Sequence, residues 1–177
     1  MFFVKYFEFK DATFKKLAVW LFLIVLSCVT KAQSSLAEIQ LKTLRGATIT
    51  FSSAVQKDSL ILVCFWATTS DVSVNELNAI NAKYDKWKSM LSFKLMAVSI
   101  DEGKDASRVR GMANVNEWKF DVYTDIKGDL RNYLNSNNLP QAMIIKKNKV
   151  IYQQSGYESG TEDYLFQRMR AIAAGKL

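Results

Sequence analysis

Histidine is absent from this 177-residue chain, and few side chains remain that could serve as nucleophile or base. That absence removes serine–histidine and cysteine–histidine pairs, the usual zinc-ligand sets and the commonest general base. Two cysteines are present, Cys28 and Cys64, and both lie in apolar runs, where a thiol behaves as a small hydrophobe rather than a nucleophile. The other place with chemical potential follows Cys64. Thr68, Thr69, Ser70, Asp71, Ser73 and Glu76 come directly after the apolar run at residues 60–66 and open an amphipathic segment. A polar helix start of this kind offers amides and hydroxyls to an anionic or peptide ligand, although Asp71 opposes an anion. Its structural alternative is a cap: Ser73-Val74-Asn75-Glu76 has capping-box spacing, and Ser70 or Asp71 could cap in its place.

The surrounding elements must hold that turn. Residues 60–66 form a continuous apolar run, which suits a central strand covered on both faces. From residue 73 to 90, Val74, Leu77, Ile80, Tyr84 and Trp87 recur at spacings of three and four, predicting a helix with one apolar face. Short strands are expected at 37–41 and 48–51 around an Arg45-Gly46 turn, then strands at 93–100 and 120–123 and helices at 105–114 and 129–134, with Lys104, Arg108 and Arg110 on solvent. Residues 142–146 and 150–154 read as a hairpin turning at Lys147-Asn148-Lys149. A closing helix at 161–174 has Thr161 as its expected N-cap, Glu162 and Asp163 in its first turn and Arg168 and Arg170 late, which complements the helix dipole. The order predicts an α/β fold around one mixed sheet. Trp66, Trp87 and Trp118 are expected in the core or at its rim.

Ahead of this domain, Lys15 and Lys16 precede an uncharged apolar run at 17–29, followed by Thr30-Lys31-Ala32 and the polar Gln33-Ser34-Ser35. That is the outline of a signal peptide over residues 1–32, with cleavage after Ala32 and a folded domain at 33–177. The run is shorter than the about 20 residues that span a bilayer. Val25-Leu26-Ser27-Cys28 is a loose match to a bacterial lipobox, so lipidation at Cys28 or a retained anchor stays open. Each alternative puts the domain outside the cytoplasm, in the periplasm or cell envelope, and cleavage after Ala32 would leave Cys64 without a disulfide partner. The net charge is +7, and residues 1–32 hold five lysines against Glu8 and Asp11. A mildly basic domain remains, without the Arg/Lys clusters interleaved with aromatics of a nucleic-acid surface.

The segment at 60–77, LILVCFWATTSDVSVNEL, resembles the F-W-A-x-W-C-x-x-C-x-x-E-L pattern of the thioredoxin superfamily, particularly its exported TlpA/ResA-like redoxin branch. Phe65, Trp66, Ala67, Glu76 and Leu77 match, while Thr69, Ser70 and Ser73 stand in place of the tryptophan and both cysteines. The resemblance extends to Leu139-Pro140 and the strand after it, and implies a thioredoxin-like fold with a cis bond at Pro140, the only proline. It also puts Cys64 where cytoplasmic thioredoxins keep a buried acid, and Glu76 where exported members keep an acid that assists proton movement. Serine forms no mixed disulfide, so dithiol exchange at Ser70 and Ser73 is chemically excluded, as is peroxidatic chemistry at this turn. Glu76 then has no thiol to activate, and capping is the role left to it.

The function expected is a redox-inactive module with no cofactor and no metal. It would hold an extended peptide or envelope protein in a groove formed by Trp66, Thr69, Ser70, Asp71, Val72, Leu139 and Pro140, through main-chain bonds that need no cysteine. Two other functions fit the same residues. One is an oxidoreductase acting through Cys64; the other is a membrane-tethered assembly subunit held by the leader or by lipidated Cys28.

Overall fold

A computed structural model describes residues 35–55, 59–103 and 107–176 of the chain. The leader, Cys28 and Lys104 lie outside the described residues. Strand β3 (Ile61–Trp66) is buried along its whole length, because both faces of the sheet are covered. Its neighbours are β4 (Lys94–Ser99), parallel, and β6 (Gln141–Lys146), antiparallel. With β1 (Gln40–Thr43), β2 (Thr48–Thr50), β5 (Asp121–Thr124) and β7 (Lys149–Ser155) they form one seven-stranded mixed sheet in the order β2-β1-β5-β4-β3-β6-β7.

Side chains alternate across a strand, so β3 feeds two cores. Leu62, Cys64 and Trp66 face one layer with Leu77, Ile80 and Trp87 of α2 (Asp71–Met90), Val109 of α3 (Arg108–Val115), and Leu165, Phe166 and Met169 of α5 (Thr161–Ala173). Trp87 stacks flat on Phe166, with centroids 4.7 Å apart. Ile61, Val63 and Phe65 face the other layer with Leu36, Phe51 of α1 (Phe51–Ala54), and Leu130 of α4 (Asp129–Tyr133). The apolar helix face expected at 73–90 is the face that packs: Leu77, Ile80 and Trp87 are buried, and Val74 and Tyr84 lie partly buried against them.

Local chemistry moved three boundaries. Residues 36–38 form a 3-10 turn instead of the start of a strand, because the Ser35 amide donates to Glu38 Oε2 at 3.4 Å in a capping box. Phe51 opens a helical turn instead of ending a strand, since Thr50 Oγ1 accepts from the Ser53 amide at 3.3 Å. Thr161 is the first helical residue and not the cap of α5. Gly160, at φ 97°, holds the cap position, which glycine takes at no steric cost, and its amide donates to Glu162 Oε2 at 2.9 Å. The β6–β7 turn places Lys147 and Asn148 at φ 51° and 59°, the left-handed pair of a two-residue hairpin.

Candidate functional site

The C-terminal ends of β3 and β4 lie side by side, and the turn that follows β3 is tied to β4 through Asp101. Its carboxylate, 5% exposed, accepts the Thr68 amide at 3.1 and 3.0 Å, the Thr68 hydroxyl at 2.7 Å and the Ser99 hydroxyl at 2.7 Å. Sequence reasoning missed Asp101. The available signal was a serine and an acid two residues apart at the end of a strand that must flank β3.

Ser70 caps α2. Its Oγ accepts from the Ser73 amide at 3.4 Å and from the Ser73 hydroxyl at 2.7 Å. The neighbouring cap is therefore the one formed, and the Ser73–Glu76 box is not. Ser73 is the third residue of the helix and fully buried, and Glu76, 1% exposed, turns into the core with no hydrogen-bond partner for Oε2 among the described residues. Burial first, then the charge of Glu162, raises the Glu76 pKa to about 7. Capping does not account for this residue.

Cys64 is fully buried, and burial, with a contribution from Glu76, raises its thiol pKa well above the ordinary value. Such a thiol stays protonated and out of reach of a substrate. Trp66 is also fully buried, packed edge-on against Trp118 at 4.8 Å, so it supports the turn from below and offers no groove surface.

Val72, Leu139 and Pro140 do come together. They line a cleft of about 370 Å³ with Gln154, Tyr157 and Glu158, among others. The Leu139–Pro140 bond is cis, and the Pro140 carbonyl accepts the Gly156 amide at 2.9 Å, which ties the proline to the end of β7. Thr69, Ser70 and Asp71 sit at the helix start next to Val72 but do not line this cleft. Gln154 brings a buried Nε2 with no partner among the described residues, its Oε1 lying 3.3 Å from the Tyr152 hydroxyl. Gln154, Tyr157 and Glu158 were not read from the sequence, because β7 and the loop after it reach the cleft only through antiparallel pairing with β6.

Below the cleft, Lys83 of α2 contacts Glu162 at 2.8 Å and Asp163 at 2.7 Å on α5. Burial works against the Glu162 carboxylate, but the Lys83 hydrogen bond and the Gly160 amide outweigh it and hold the pKa below the ordinary range. Tyr157 is raised by burial and by the charges of Glu162 and Glu76, so the cleft wall senses both acids. Among the described residues, no group of three or more cysteine, aspartate or glutamate side chains is placed to hold a metal ion, and no helix is long and apolar enough to cross a membrane.

Comparison with known proteins places this geometry. A thioredoxin-like protein from Porphyromonas gingivalis is 29% identical, with a TM-score of 0.67 over 78% of this chain and 94% of its own. A structure named as thiol:disulfide interchange protein DsbE, from Chlorobium tepidum, is 21% identical, with a TM-score of 0.65 over 78% of this chain and 94% of its own. A mutant of peroxiredoxin Q from Xanthomonas campestris is 14% identical, with a TM-score of 0.66 over 78% and 93%. No curated protein matches the sequence. The fold is thioredoxin-like, a mixed seven-stranded sheet flanked by helices. The AhpC/TSA family profile matches residues 32–154, more than half of the sequence, and the chain belongs to the AhpC/TSA family.

Proposed function

We propose that this chain is an exported, redox-inactive member of the TlpA/ResA-like branch that binds an extended peptide or envelope-protein segment in the cleft between Val72 and Leu139-Pro140. The observation that carries this reading is the chemistry beside the cleft. Ser70 and Ser73 occupy the positions that the C-x-x-C pattern gives to cysteines, and their hydroxyls are satisfied by each other at 2.7 Å. The one described cysteine is fully buried, with its pKa raised. Neither hydroxyl can form a mixed disulfide, so binding is what the site retains.

Two further features support a peptide ligand. Among the described residues no backbone hydrogen bond engages Leu139, whose main chain adjoins the cleft, so its N–H and C=O are open to strand addition. Gln154 lines the same cleft and gives it a polar wall beside Leu139 and Pro140. Export rests on the apolar run at 17–29, and a protein or peptide partner is favoured over nucleic acid because residues 33–177 lack Arg/Lys clusters interleaved with aromatics.

Capture from an envelope fraction tests the cleft. Wild type is expected to retain a protein partner that Val72→Asp loses, since Val72 is 47% exposed and its replacement leaves the core intact. Unchanged capture by Val72→Asp would place binding elsewhere. An insulin-reduction assay tests redox inactivity: turnover by wild type that disappears in Cys64→Ser would overturn it. Membrane fractionation of Cys28→Ala against wild type addresses anchoring, and identical soluble release from both would exclude lipidation.

A further inference from the structure

Toward the opposite edge of the sheet from the cleft at Val72 and Pro140, strand register sets a polar row across β2, β1 and β5. Register pairs Lys42 with Thr48 on one side and with Thr124 on the other. Side chains directly opposite in adjacent strands share a face and stand about 5 Å apart, so Thr48, Lys42 and Thr124 form a row of hydroxyl, ammonium and hydroxyl across β2, β1 and β5.

Two clefts meet on that row. One, of about 360 Å³, reaches Leu44, Val109 and Arg110; the other, of about 250 Å³, reaches Thr48 and Lys127, and both include Lys42, Thr124 and Ile126. Arg110 Nη2 donates to the Leu44 carbonyl, which fixes the guanidinium across the first cleft. Among the described residues no acidic side chain lines either cleft, and three cations do, Lys42, Arg110 and Lys127. Ile126, 39% exposed, forms an apolar step between them, with Leu44 and Val109 beyond. Thr124 is the last residue of β5, and its pairing with Lys42 of the antiparallel β1 sets the row at that strand end.

We propose that this face binds a small organic carboxylate with an apolar body. The carboxylate would sit on the Thr48–Lys42–Thr124 row within reach of Arg110 or Lys127, and the body would lie against Ile126 and Leu44. A carboxylate accepts from both ammonium and hydroxyl donors, and the apolar step distinguishes such a ligand from a bare inorganic anion. This site is independent of the peptide cleft and stands whether or not that cleft binds peptide.

The test is a titration of the full-length chain with sodium hexanoate, followed by amide NMR shifts, with hexanol and inorganic phosphate as probes lacking the charge or the tail. Hexanoate is expected to give saturable shifts at Thr48, Thr124 and Ile126, with affinity at least 10-fold lower in Lys42→Gln and in Ile126→Ser. Both positions are exposed, so both variants should keep the wild-type melting temperature. Equal saturation by hexanol or by phosphate would overturn the proposal, as would hexanoate affinity unchanged in Lys42→Gln.

Discussion

Glu76 is a carboxyl group held away from water in a core that gives one of its oxygens no partner. Charging it there is costly, so its folded pKa, about 7, lies above the ordinary 4.5. A raised folded pKa means that the folded state holds the proton more tightly than the unfolded chain. The stabilisation is fully present below pH 4.5 and is lost as pH rises through 7. At about 1.4 kcal/mol per unit, the loss is on the order of 3 kcal/mol. Glu76→Gln keeps the shape and removes the titration. Urea unfolding at pH 5 and pH 8 should show the variant gaining about 1–3 kcal/mol relative to wild type at the higher pH. Parallel pH profiles would mean that Glu76 stays charged throughout. The same reasoning gives Lys83 a measurable role. Removing it in Lys83→Met leaves Glu162, 5% exposed, without its cation, and a loss of about 1–3 kcal/mol in unfolding free energy is expected at pH 7; an unchanged midpoint would show that the pair contributes nothing net.

At the level of elements, the turn between β3 and α2 is held by one acid. Asp101 accepts one amide and two hydroxyls, so Asp101→Ala strands three donors and should cost about 2–4 kcal/mol, whereas Asp101→Asn keeps an acceptor and should cost less. Hydrogen exchange at the Thr68 amide should quicken in Asp101→Ala; protection equal to wild type would show that the turn does not depend on this contact. Which elements were legible follows from the same physics. The unbroken apolar run of β3 and the spacing of three and four in α2 encode burial directly, and both appear as expected. Caps depend on φ and on single hydrogen bonds, so Gly160 displaced Thr161, and Ser70 displaced Ser73. Of the site, Val72, Leu139 and Pro140 were legible through the motif. Gln154 and Tyr157 reach the cleft only through the β6–β7 pairing, and Trp66 is drawn away from it because β3 is covered on both faces.

For the whole molecule, the question is whether the fold still presents a working exchange geometry from which only the sulfurs are missing. Ser70 Oγ and Ser73 Oγ lie 2.7 Å apart at the start of a 20-residue helix, beside the cleft closed by Leu139-Pro140. Side chains in such contact are compatible with the short Cβ separation of about 3.8 Å that a disulfide needs, and the helix start lowers the pKa of a thiol placed there. Ser70→Cys with Ser73→Cys should therefore form an internal disulfide on air oxidation and, with dithiothreitol as reductant, reduce insulin faster than wild type by at least 10-fold. Ser70→Cys alone lacks a resolving thiol, so when its thiolate attacks a disulfide-bearing protein held in the cleft, one partner sulfur leaves as a thiol and the other should stay bound to the introduced sulfur as a mixed disulfide. If the double variant closes its disulfide but leaves insulin turnover at the wild-type level, the cleft does not admit an extended substrate, and the peptide-binding reading fails with it. Turnover in the double variant, together with trapping by the single one, would make the cleft a peptide groove and would name its occupant.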